Sequence, residues 1–150
     1  MKKYYLLIIF LLFNQCDYKP IYSQNNQNFG IRIIEINENR SNKILATRLK
    51  SYSYEKDNIF LYELKLLTSE NKLILSKDTK GDPLLLGLKI NLKIEVYEED
   101  KLITKKEYNE QFNYQNLSKK FELNSYESEI RLNIYDKMIS EILIDLTNLK

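Results

Sequence analysis

Residues 88–97, LKINLKIEVY, decide the fold. Leu88, Ile90, Leu92, Ile94 and Val96 alternate without a break with Lys89, Asn91, Lys93 and Glu95. Successive side chains of an extended chain point to opposite sides, so this pattern predicts a strand with one buried and one wet face. Residues 98–101 (EEDK) then form a polar turn, and 102–114 return as the antiparallel partner of a hairpin.

After the hairpin, residues 116–120 lead into the longest element. From about 123 to 149, apolar residues recur at Tyr126, Ile130, Ile134, Met138, Ile142 and Leu146, reinforced by Tyr135, Ile139, Leu143 and Leu149. That spacing predicts one long helix with a wide apolar stripe. Burying ten such side chains contributes about 15–30 kcal/mol before conformational entropy is subtracted, so the helix has to pack along the sheet.

Before the hairpin, residues 29–37 (FGIRIIEIN) are β-branched and alternating, hence a strand. Ser41 offers an N-cap, and Ile44, Leu45, Leu49 and Tyr52 continue at helical spacing to about Glu55, where Asp57 and Asn58 break the pattern. Residues 59–67 resume strand chemistry, 69–72 (SENK) read as a turn, and 73–77 as a short extended run. The predicted order is β-α-β-β-β-β-α. It describes an α+β, two-layer sandwich: a mostly antiparallel sheet of four to five strands with both helices on one face. The other sheet face, carrying Lys89, Asn91, Lys93 and Glu95, is expected to be polar and open.

The amino-terminal stretch 1–22, MKKYYLLIIFLLFNQCDYKPIY, is of another kind. Lys2 and Lys3 precede an apolar run over residues 4–13. As a helix that run rises only ~15 Å, about half a hydrocarbon core, and its length and flanks fit a signal peptide over residues 1–15. Cys16, the only cysteine, stands where a bacterial lipoprotein is cleaved and fatty-acylated. Asn14 and Gln15 occupy positions where small side chains are usual, so an uncleaved short anchor and a free thiol beside a cut made elsewhere are the competing readings. Residues 16–28, ending in the low-complexity SQNNQN, read as a lipidated tether, and 29–150 as one domain with one core.

Composition narrows the chemistry. There is no histidine, which removes Ser-His-Asp and Cys-His nucleophiles and the common zinc sites. Three glycines, Gly30, Gly81 and Gly87, build no phosphate-cradling loop. Neither enzymatic activity, nor a metal, nor a cofactor is expected. Without Lys2 and Lys3 the 23 basic side chains fall to 21, equal to the 21 acidic ones, so nucleic acid is not an expected partner.

Several short motifs carry a resemblance. Cys16-Asp17-Tyr18-Lys19-Pro20-Ile21-Tyr22 resembles the C-G-[FY]-[KR]-P-[LI]-Y opening of the LPS-assembly lipoprotein LptE family in its alphaproteobacterial form, departing from it at Asp17. Ser76-Lys77-Asp78-Thr79-Lys80 is similar to that family's S-[KR]-D-T-x stretch ahead of the hairpin. Phe112-Asn113-Tyr114 and the amphipathic closing helix also fit. The resemblance implies an outer-membrane lipoprotein, anchored on the periplasmic side by its acylated (palmitate-type) cysteine. It also implies a plug and assembly partner of the large β-barrel LptD, which binds lipopolysaccharide on its way to the cell surface.

Lipopolysaccharide carries phosphates beside acyl chains, so its binder needs cationic side chains next to apolar surface. Three lysine groups qualify: Lys77 with Lys80 before Pro83, Lys89 with Lys93 on the open strand face, and Lys119 with Lys120 ahead of the last helix. Lys77, Lys80, Lys119 and Lys120 are the candidates the resemblance favours, the first pair most, because it lies on a loop that can project from one end of the sandwich. An ordinary solvated surface charge is the competing reading for each. The twelve tyrosines, among them Tyr62, Tyr97, Tyr108 and Tyr114, suit a surface enclosed by a polar lumen, or equally the edge of a core. A second reading is an auxiliary lipoprotein of an ABC-type lipid or solvent transporter, a class that is also small, lipidated and α+β, and Asp17 would suit its inner-membrane station.

Overall fold

The computed structural model describes residues 29–36, 40–51 and 60–149. The expected signal peptide, Cys16, the tether and the helical turn ending near Glu55 lie outside the described residues. Four strands and two helices follow in the order β1 (Phe29–Ile36), α1 (Arg40–Lys50), β2 (Phe60–Lys77), β3 (Pro83–Glu98), β4 (Lys101–Gln115) and α2 (Lys120–Asn148). The sheet order is β1-β2-β3-β4. β1 runs parallel to the first part of β2, from Phe29 opposite Phe60 to Ile36 opposite Leu66, while β2, β3 and β4 are antiparallel. This is the expected α+β, two-layer sandwich with two helices on one sheet face.

One expected turn is absent. Residues 69–72 pair continuously with Asn91, Ile90, Lys89 and Leu88, so β2 is a single strand of 18 residues. The polar residues are tolerated because alternation sends Ser69 and Asn71 to the open face, while Glu70 and Lys72 turn toward α2 and find partners there. Arg131 donates from Nε and Nη2 to the two Glu70 oxygens at 2.8 and 2.6 Å, and Lys72 pairs with Glu127. Ser41, expected to cap α1, is instead its second residue, and its hydroxyl donates to Glu70 at 3.1 Å.

The core lies between the sheet and both helices. β3 contributes Leu86, Leu88, Ile90, Leu92, Ile94 and Val96, all buried. α1 adds Leu45, Ala46 and Leu49 over β1 and β2. α2 lies over β3 and β4 with Ile130, Ile134, Tyr135, Met138, Ile142 and Leu146 buried. Its 29 residues rise about 44 Å at 1.5 Å each, nearly the ~50 Å that the 16 residues of β3 span. Polar anchors fasten it along that length: Lys137 donates to Glu110 at 2.6 Å, and Tyr108 and Lys106 donate to Asp145 at 2.6 and 2.8 Å. Burial opposes the charge on Asp145, but the two donors outweigh it and hold the carboxyl below its usual range.

The second sheet face carries no helix among the described residues. Lys89 and Lys93 stand exposed on it, with Asn91 and Glu95 half-buried. Its side chains hydrogen-bond across the strands, Asn91 to Glu107 and to Asn109 at 2.6 Å and Lys105 to Glu95, and along them, Gln111 to Asn113 at 2.8 Å and Tyr97 to Glu95. The hairpin closes with Glu98 opposite Lys101, leaving Glu99 and Asp100 as a two-residue loop at φ 46° and 64°.

Candidate functional site

The β2–β3 connection is a compact turn organised by Asp78. Its Oδ1 accepts the backbone N–H of Lys80 at 2.9 Å and of Asp82 at 2.8 Å. Its own N–H donates to the Asp82 carbonyl at 2.8 Å, and Gly81 N–H donates to the Asp78 carbonyl at 3.1 Å. Gly81 takes φ +89°, a conformation that the missing Cβ allows. The aspartate of the S-K-D-T stretch therefore builds the turn, and Lys77 and Lys80 are carried exposed on it.

The β4–α2 connection comes to the same place. β4 ends with Gln115 opposite Leu85, just inside the Lys77–Pro83 pair. Asn116 then fixes the chain to the first residues of β3, donating its backbone N–H to the Leu84 carbonyl and its side-chain amide to the Pro83 carbonyl, both at 2.8 Å. Lys119 is the extended residue at the start of α2, with φ −90° and ψ 110°, and Lys120 is the first helical residue. Lys77, Lys80, Lys119 and Lys120, two groups about forty residues apart in the chain, thus share one end of the molecule.

Their charge is largely uncommitted. Lys119 pairs with Glu122 at 2.8 Å, whereas Lys77, Lys80 and Lys120 form no ion pair among the described residues. Asp78 and Asp82 sit on the same turn, so the local excess of positive charge is small. The Asp78 carboxylate is already bonded to two backbone amides, however. Lys89 and Lys93 do not join this end: they lie on the open face, Lys93 at 3.9 Å from Glu107.

Apolar surface surrounds the lysines, and sequence periodicity had not marked it. Ile74 and Leu84 are each 54% exposed and Phe121, next to Lys120, is 83% exposed. A groove follows, between β4 and the first half of α2, in two adjoining parts of ≈ 480 and ≈ 410 Å³ that share Phe112 and Tyr126. Phe112 is on the helix-facing side of β4, opposite Leu88, yet it remains 45% exposed because α2 does not close over it. Tyr126, expected on the buried stripe of the helix, is 39% exposed and meets Tyr114 edge-on at 6.0 Å.

Glu127 takes the buried place instead. It accepts from the Tyr114 hydroxyl at 2.8 Å and from Lys72, and so ties α2 to β4 and β2 beneath the groove. Burial, and secondarily this bond, push the Tyr114 phenol far above its ordinary value. The signal was present in the chain: Glu127 stands four residues after Leu123 and three before Ile130, a carboxylate on an otherwise apolar line.

No protein-family model matches the chain. No curated protein sequence matches it either. Solved structures do share its fold. Rare lipoprotein B of Shewanella oneidensis superposes with a TM-score of 0.57 at 14% identity, covering 79% of this chain and 97% of its own. A candidate lipoprotein of Caulobacter crescentus gives 0.61 at 12% identity over 79% and 88% of the two chains. A minor lipoprotein of Acinetobacter baumannii gives 0.56 at 16% over 78% and 89%. At such identities the likeness is one of fold: the chain is built as these lipoproteins are. No helix among the described residues is long and apolar enough to cross a membrane.

Proposed function

We propose that the protein is an exported lipoprotein, acylated at Cys16 and anchored at the outer membrane on its periplasmic side. It serves without catalysis as an LPS-assembly factor, seated in the lumen of the β-barrel LptD and binding lipopolysaccharide during its transport to the cell surface. One observation carries the reading: Lys77, Lys80, Lys119 and Lys120 converge at one end of the fold, among exposed Ile74, Leu84 and Phe121. Cations beside apolar side chains are what a phosphorylated, acylated lipid requires. The open sheet face, with its hydrogen-bonded amides and carboxylates, suits enclosure by a polar wall. The fold shared with rare lipoprotein B supports the lipoprotein assignment.

The test is binding of purified lipopolysaccharide to the full chain and to the variants K77E/K80E and K119E/K120E. Each pair should lose most of the binding at physiological salt, and undiminished binding in both would remove this end as the site. Co-purification from membranes identifies the partner, and a large β-barrel is expected. Recovery of a permease or substrate-binding subunit instead would favour the transporter auxiliary, the role that Asp17 beside the acylated cysteine fits.

A further inference from the structure

We propose that the groove between β4 and the first half of α2 holds one hydrocarbon chain of the same amphiphile whose phosphate meets the lysine end. This rests on the preceding reading for the identity of the ligand, but on separate residues.

The groove is mixed in polarity: Phe112, Tyr126, Ile130 and Ile134 give its lower part an apolar lining, beside Glu110, Gln111, Glu129, Asn133 and Lys137. Its upper part is lined by Leu85, Leu117 and Tyr126, and so opens two residues before Lys119. The lower part reaches Lys137 and Glu110, whose ion pair at 2.6 Å is the natural stop. A ligand with an anionic head and an apolar tail matches this polarity in one orientation only, head toward Lys119 and Lys120.

Length agrees as well. From Tyr126 to Lys137 the helix advances about 16 Å at 1.5 Å per residue, close to the ~15 Å half-thickness that the acyl chains of one leaflet fill. The gap has a cause in the sequence. Where β4 faces α2 beyond Tyr108 it presents Glu110 and then Phe112, and the facing helix presents Glu129 and Asn133, so no aliphatic side chain fills the space.

Filling the slot is the test. Asn133 is exposed on the rim, so Asn133→Trp can block the groove without disturbing the core; its circular dichroism should equal that of the parent chain. The probes are lipopolysaccharide and its chemically deacylated form. The parent chain should bind the acylated form about tenfold tighter or more, and Asn133→Trp should lose that preference while binding the deacylated form unchanged. Equal binding of the acylated form by Asn133→Trp and the parent overturns the groove. If K119E/K120E binds both forms undiminished while Asn133→Trp loses the acylated one, the groove stands and the phosphate role of the lysines falls. A second variant works independently of affinity. The chain has no tryptophan, so Phe112→Trp places a single reporter in the slot. A phospholipid with brominated acyl chains should quench it. No quenching at saturating lipid, as when a polypeptide segment of a partner fills the slot, also overturns the proposal.

Discussion

At the scale of single residues, the end of the fold that carries the lysines depends on carboxylates whose oxygens are bonded within the fold. Asp78 satisfies two amides of the turn, and Glu127 holds the start of α2 to the sheet. Removing Glu127 leaves the buried Tyr114 hydroxyl without an acceptor. Lys72 is 45% exposed and can turn back to water, so most of the penalty falls on the tyrosine. Glu127→Ala should therefore cost about 1–3 kcal/mol, read as a lower urea midpoint at unchanged slope. Glu127→Gln keeps an acceptor for Tyr114 and should fall between Ala and the parent. An Ala variant as stable as the Gln variant would mean the buried bond contributes nothing. Of these residues the sequence marked the polarity but not the role. A glutamate on an apolar helical line is visible, whereas its acceptor function needs Tyr114 on another element to be known.

At the scale of elements, alternation carried the reading where it was strict and failed where polar composition resembled a turn. β3 was legible residue by residue, because its inward set is unbroken. The SENK stretch of β2 was not, since the two inward residues that make it look like a turn are neutralised by Arg131 and Glu127 on a helix about sixty residues downstream. The true turn of the β3–β4 hairpin is short and carries a cost. Glu99 and Asp100 both adopt left-handed backbone, which two-residue hairpin loops demand and which disfavours side chains other than Asn, Asp and Gly. Glu99→Asn should stabilise the protein by about 0.5–1 kcal/mol, a rise of a few degrees in Tm. Asp100→Gly should gain less: aspartate already tolerates this region, and glycine loses more freedom on folding. Glu99→Ala as control should gain nothing, and an equal gain from Ala would show that the left-handed backbone is not the source of the effect.

At the scale of the whole molecule, register rather than local pattern assembles the candidate site. Lys77 and Lys80 share an end of the fold with Lys119 and Lys120 because β2, β3 and β4 end level with one another and Asn116 bonds across to Pro83 and Leu84. Neither fact can be read from either lysine group alone, which is why the sequence proposes the residues but not their convergence. The same architecture separates two surfaces. Lys89 lies six residues along β3 from Pro83, about 20 Å at the rise of a strand, and Lys93 is farther still, both on the open face. At physiological salt the screening length is about 8 Å, so charges there have little influence on an anion bound at the lysine end. K89E/K93E should therefore bind lipopolysaccharide as the parent does but be captured less well by the barrel. K77E/K80E should do the reverse, losing lipid and keeping the barrel. Raising the salt should weaken lipid binding steeply in the parent chain and less steeply in K77E/K80E, which has lost two cations of the end but keeps Lys119 and Lys120. If K89E/K93E loses lipid binding as strongly as the end variants do, the molecule is not divided in this way. The open face would then have to be counted as part of the lipid site.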